Sequence, residues 1–135
     1  MSLGILDTST LILLGQIEDT DTLPDEPLIT AITLAELSVG PLVASTHEER
    51  SARRAHLQQA EADFEPLPFD TAAARIFARV AAGLGRAGRK PSARAYEAMI
   101  AAIAISNDPP LHTGNPRDFT GIEALTVVAV LHPDH

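Results

Sequence analysis

Four acids of this chain stand where chemistry is usually delivered. Asp7 ends the short apolar run Leu3-Gly4-Ile5-Leu6, Glu36 falls in the segment after Leu28-Ile29-Thr30, Glu97 precedes the apolar run Ala98 to Ile105, and Asp118 follows Leu111-His112-Thr113 together with Asn115. Oxygen donors carried on separate elements to one rim suit a hard divalent cation such as Mg²⁺ or Mn²⁺, with water filling the remaining positions. Carboxylates gathered without basic partners repel one another and raise each other's pKa, and a divalent ion removes that cost. The chain has no cysteine, which excludes a thiolate zinc site, a cysteine nucleophile and a disulfide scaffold.

A shared rim requires strands that end together. Leu3 to Leu6 reads as a buried central strand, and in open parallel sheets ligands bind just beyond the carboxyl ends of strands. A short helix follows from about Thr10 to Leu14, and then an acidic, proline-punctuated loop over 18–27. Leu28-Ile29-Thr30 is a second strand, feeding a helix from about Thr33 to Val39 that stops near Gly40-Pro41. Residues 46–62 read as a polar helix capped by Thr46, and residues 65–69 as a third strand whose prolines suggest an edge. Asp70 or Thr71 caps an alanine-rich helix with Ala73, Ile76, Phe77 and Val80 at helical spacing. Ser92 caps the next helix, 93–105, with Tyr96, Met99, Ile100 and Ile103 as its core stripe. Residues 111–113 and 126–130 complete about five strands. Strands alternating with helices indicate an α/β domain with a mainly parallel sheet, and 135 residues with 45% apolar content suffice for one domain.

Each acid also has a purely local reading. Asp7 can cap a helix starting near Thr8. Thr33-Leu34-Ala35-Glu36 has the form of a capping box, with Thr33 as the cap and Glu36 reaching back. Glu97 can pair with Arg94 at i, i+3, although such pairs contribute only a few tenths of a kcal/mol and prefer the acid first.

The net charge of −8 opposes any mode of nucleic-acid binding that relies on overall positive potential. The charges are unevenly spread, however. Residues 1–49 hold nine acids and no Lys or Arg, whereas residues 75–94 hold Arg75, Arg79, Arg86, Arg89, Lys90 and Arg94 and no acid. The basic strip is either a solvated face or a phosphate-contacting ridge. No apolar run approaches the length of a membrane span and no basic signal start is present, so the expected location is the cytoplasm. His132 and His135 read as part of a solvated tail.

Taken in order, Leu6-Asp7-Thr8-Ser9, Thr33-x-x-Glu36-Leu37, Tyr96-Glu97-Ala98-Met99-Ile100-Ala101-Ala102 and Thr113-Gly114-Asn115-Pro116-Arg117-Asp118-Phe119 resemble the PIN-domain ribonucleases, and most closely the VapC-type toxins of bacterial toxin-antitoxin modules. Each motif is weak alone; their order and spacing carry the resemblance over nearly the whole chain. It implies a three-layer α/β/α sandwich whose acids hold one or two Mg²⁺ or Mn²⁺ ions and cleave RNA. Asp7 and Glu36 match the first two acids of the pattern, and Asp118 or Asn115 the fourth. Thr8 and Ser9 are expected to orient Asp7 or a metal-bound water, with Thr113 in support. Arg86, Arg89, Lys90 and Arg94 are the candidate phosphate contacts. The resemblance also implies a small antitoxin partner, which the acidic rim would favour if basic, and a homodimer through the early helices.

Glu97 departs from the pattern, which has an aspartate there. One extra methylene shifts the carboxylate by roughly 1.5 Å, and Mg²⁺ tolerates little geometric error. A catalytically weakened RNA- or antitoxin-binding module of the same fold is therefore the main alternative. A haloacid-dehalogenase-like phosphatase, with Asp7 as nucleophile, fits less well, because Ser9 stands where that family expects a second acid and the only lysine is Lys90.

Overall fold

The computed structural model describes residues 2–88 and 94–131. The strands β1 (Leu3–Leu6), β2 (Glu26–Leu28), β3 (Leu111–Thr113) and β4 (Val127–Ala129) form one parallel sheet in the order β2-β1-β3-β4. The strand ending in Asp7 is thus internal, paired on both sides with Leu3 opposite Glu26 and Leu6 opposite His112.

Residues 65–69 do not form the expected third strand, which leaves four of the five. Pro66 and Pro68 have no N–H to give, so Leu67 alone pairs with the sheet. It donates to the Ile29 carbonyl at 3.0 Å and accepts from the Ala31 N–H at 2.8 Å, making an isolated parallel bridge opposite Thr30. Among the described residues the sheet therefore has four strands, with that bridge beyond β2.

The helices are α1 (Thr8–Ile12), α2 (Ala31–Val39), α3 (His47–Asp63), α4 (Thr71–Arg86) and α5 (Ala95–Asn107). They flank the sheet as a three-layer α/β/α sandwich. Ile5 and Leu111 of the sheet pack with Val80 and Leu84 of α4 and with Ala98, Ala101 and Ala104 of α5. A second core joins Ile29 to Leu37 of α2 and Ala60 of α3, with Leu11 of α1 against it. Strand alternation turns Leu6 to the face opposite Ile5, and both are fully buried.

Several local expectations change: the second strand runs Glu26–Leu28 rather than 28–30, and the first helix Thr8–Ile12 rather than about Thr10 to Leu14. Helix α2 starts earlier than Thr33, because Thr30 is its cap and accepts from the Thr33 N–H at 3.3 Å. A related arrangement is found at Thr46 and Glu49: Thr46 accepts from the Glu49 N–H, and Glu49 reaches back past the cap to accept from the Ser45 N–H, each at 3.0 Å. Tyr96 is not part of the α5 core stripe; it is 53% exposed, while small residues from Ala98 to Ala104 give the buried surface its close fit. The Ser92 cap and the His132 and His135 tail lie outside the described residues. Among the described residues no helix is long and apolar enough to cross a membrane.

Candidate active site

Asp7, Thr8, Ser9, Glu36, Glu97, Asn115 and Asp118 line one cavity of about 150 Å³ together with the apolar Ile100 and Phe119. The five residues expected to hold metal, Asp7, Glu36, Glu97, Asn115 and Asp118, are therefore brought to one place, from the end of β1, α2, α5 and the turn after β3. Two larger grooves, of about 580 and 480 Å³, are mainly apolar and contain none of these residues.

Asp7 is buried and serves two purposes. Its Oδ1 accepts from the Thr10 N–H at 3.2 Å, capping α1, while Oδ2 accepts from the Thr113 hydroxyl at 2.6 Å. The cap reading and the site reading are thus both true of Asp7, because the two oxygens can be held by separate donors while further lone pairs remain. Thr113 also accepts from the Asn115 N–H at 2.9 Å, and Thr10 Oγ1 accepts from the Gly114 N–H at 3.0 Å. These contacts tie the end of β1 to the loop after β3. Thr10 was not among the expected site residues; its Asp7-x-x-Thr10 spacing is the signal for it.

Thr8 does not orient Asp7. Its hydroxyl donates to Glu36 Oε1 at 2.6 Å and lies 3.0 Å from the buried Thr33 hydroxyl. With α2 capped at Thr30, Glu36 sits in the middle of the helix on the same side as Thr33 and faces the pocket rather than reaching back to the helix start. Ser9 accepts from Asn115 Nδ2 at 3.2 Å, so the amide nitrogen of Asn115 is engaged. Asp118 Oδ1 receives Arg94 Nη1 at 2.7 Å, and the same nitrogen lies 3.9 Å from Glu97 Oε1. Arg86 lines the larger groove beside α4 instead; Arg89 and Lys90 lie outside the described residues.

Burial pushes the Glu36 carboxyl above its ordinary value of 4.5; the Thr8 hydrogen bond opposes this, and the charges of Glu97 and Asp7 add to it. The donor set is wholly hard oxygen, with no sulfur or imidazole, and it carries the mutual repulsion that a divalent cation relieves. It fits Mg²⁺ or Mn²⁺ in kind. Among the described residues no three carboxylate or imidazole groups close up into a ready-made metal cluster.

The raised Glu36 pKa has a consequence for stability. The folded state holds the Glu36 proton more tightly than the unfolded chain, so stability falls as pH rises from about 4.5 through the folded-state value, and stays lower above it. Glu36→Gln keeps an oxygen for Thr8 and removes the charge. The metal-free variant is expected to melt above wild type at pH 7 and level with it at pH 4; equal melting at pH 7 would refute this.

Residues 5–122 match the model of the family described as the PIN domain. This chain belongs to the PIN-domain family. The PIN domain is 38% identical to Ribonuclease VapC5 of Mycobacterium tuberculosis over 130 residues, covering 95% of this chain and 93% of that protein. The crystal structure of VapBC-5 from M. tuberculosis, a member of the VapBC family of toxin-antitoxin systems, superposes with a TM-score of 0.82 at 37% identity. It covers 96% of this PIN domain and all of that chain. DNA-bound VapBC from Salmonella typhimurium superposes with a TM-score of 0.71 at 25% identity, covering 96% of this chain and 98% of that one.

Proposed function

We propose that this PIN domain is a metal-dependent endoribonuclease that hydrolyses RNA phosphodiester bonds and acts as the toxin of a toxin-antitoxin pair. The observation that carries the reading is the convergence of Asp7, Glu36, Glu97 and Asp118 on one cavity, in a chain 38% identical to a ribonuclease VapC. The solved relatives are toxin-antitoxin assemblies, which supports a small antitoxin as the partner. This favours the nuclease over a binding module with a disabled site.

Asp7, Glu36, Glu97 and Asp118 would hold Mg²⁺ or Mn²⁺, with Asn115 beside them. The bound ion would supply the charge that activates water and polarises the phosphate. The chain's own part is positioning. Thr113 and the Thr10 N–H fix the Asp7 carboxylate, Thr8 fixes Glu36, and Ile100 and Phe119 give the cavity an apolar part of its lining. Such pre-set donors cost no reorganisation during the reaction.

The test is cleavage of a structured RNA pool by purified protein with Mg²⁺, with Mn²⁺ and with chelator, using Asp7→Asn from a parallel preparation as the contamination control. Cutting with metal, lost with chelator and in the variant, is expected. Silence of both the natural chain and Glu97→Asp would move the reading to a binding module.

A further inference from the structure

The two halves of the acidic pocket are held in different ways. Asp7 and Glu36 are fixed by neutral donors, namely the Thr10 N–H and the Thr113 and Thr8 hydroxyls. These orient a carboxylate and leave its charge in place. Asp118 and Glu97 face a cation instead: Arg94 Nη1 lies 2.7 Å from Asp118 Oδ1 and 3.9 Å from Glu97 Oε1. Arg94 stands at the start of α5 and Asp118 in the turn after β3, so one guanidinium spans two of the elements that frame the cavity.

We propose that Arg94 is a resident counter-cation of the pocket, occupying the Glu97 and Asp118 carboxylates when no divalent ion does and giving them up when one binds. This rests on the metal-site reading of the same cavity. The carboxylates are freed when the entering ion displaces the guanidinium. The side chains of Arg94, Asp118 and Glu97 are 33, 32 and 30% exposed. Water therefore screens the pair, which is worth no more than about fivefold in an equilibrium. A doubly charged ion sharing Asp7 and Glu36 outcompetes it. The guanidinium offsets part of the outer acids' repulsion of the inner ones in the metal-free protein, which Glu36 still feels from Glu97, and lowers the affinity of the complete site for metal.

The experiment is calorimetric titration of Mn²⁺ into the full chain. Arg94→Gln is expected to bind Mn²⁺ roughly two- to fivefold tighter than the natural protein. Adding Asp118→Asn should erase that gain, and Arg94→Lys, which restores the charge, should return affinity toward the natural value. Arg94→Gln binding no tighter than the natural chain overturns the proposal. Asp7→Asn in the same series separates the two levels: undiminished Mn²⁺ binding there refutes the metal site itself, whereas loss there with no gain in Arg94→Gln refutes only the role of Arg94. A second readout needs no folded variant. In the natural protein, Mg²⁺ should move the Arg94 side-chain N–H resonances to those of a free guanidinium. Unmoved Arg94 signals, while the Asp7 and Glu36 amides shift, overturn it equally.

Discussion

Asp7→Asn is expected to lose RNA cleavage by at least about a hundredfold, since even the outer partners of a metal site contribute roughly 10- to 100-fold, while remaining folded. The two halves of that outcome have separate causes. Asparagine is as good a helix cap as aspartate, so its oxygen can still take the Thr10 N–H 3.2 Å away and α1 keeps its start. The other position changes sign, because an amide nitrogen would face the Thr113 hydroxyl now 2.6 Å from Oδ2. That hydroxyl already accepts from the Asn115 N–H and would have to turn its own proton elsewhere, costing about 1 kcal/mol. Circular dichroism and melting on the assay sample check the fold. Asp7→Ala should lose activity equally but melt lower, by about a further 1 kcal/mol from the lost cap. Cleavage by pure Asp7→Asn at the natural rate would refute Asp7 as a site residue.

Gly4→Ala is expected to give the largest loss of stability from a single methyl group. A β-carbon at Gly4 would fall 2.4 and 2.5 Å from Cδ2 and Nε2 of His112 and 2.8 Å from Cβ of Pro24. The imidazole cannot simply swing aside, because its Nδ1 is hydrogen-bonded to the Thr22 carbonyl at 2.7 Å and the residue is buried. Overpacking of this kind costs about 2–3 kcal/mol, or roughly 8–12 °C of melting temperature for a domain of this size. The cost should fall in a His112→Ala background without vanishing, since Pro24 stays in place; this coupling is what a double-mutant cycle measures. An unchanged melting temperature for Gly4→Ala would show that β1 and β3 can part freely there. The same change should reduce cleavage even at low temperature, because Gly4 and Asp7 share one strand and its continuation.

Much of this arrangement can be read from the sequence, and the exceptions have physical reasons. Asp7 is legible only together with the other acids, because a strand ending in an acid before a helix reads equally well as a helix cap, which Asp7 also is. Asn115 and Asp118 are legible because they follow the next strand of the same sheet. Glu36 is harder, since Thr30 and Thr33 are equally good caps on paper and only the first turns Glu36 inward; the deciding fact is the bridge from Leu67, which holds Ile29 and Ala31 in line with the sheet edge. The role of Thr8 follows from that choice and is hidden with it. Tyr96 misleads because periodicity marks large apolar residues, whereas the surface of α5 that fits against α4 is made largely of alanine. The stronger partner of Arg94 is invisible locally: Glu97 is three residues on, but Asp118, the shorter contact, is 24 residues away in another element.

The single bridge at Leu67 also bears on how copies of this protein can meet. Both polar backbone groups of Leu67 point inward, to Ile29 and Ala31, and in an extended chain the groups of its neighbours point the opposite way. Those neighbours are Pro66 and Pro68, so the outward border of the sheet on this side offers carbonyls and no N–H. A strand from another molecule arriving there would find acceptors only, and no ladder could propagate. On that flank the fold is terminated chemically, against runaway β-stacking, and any stable pairing of two chains on that side must go through side chains on the helices.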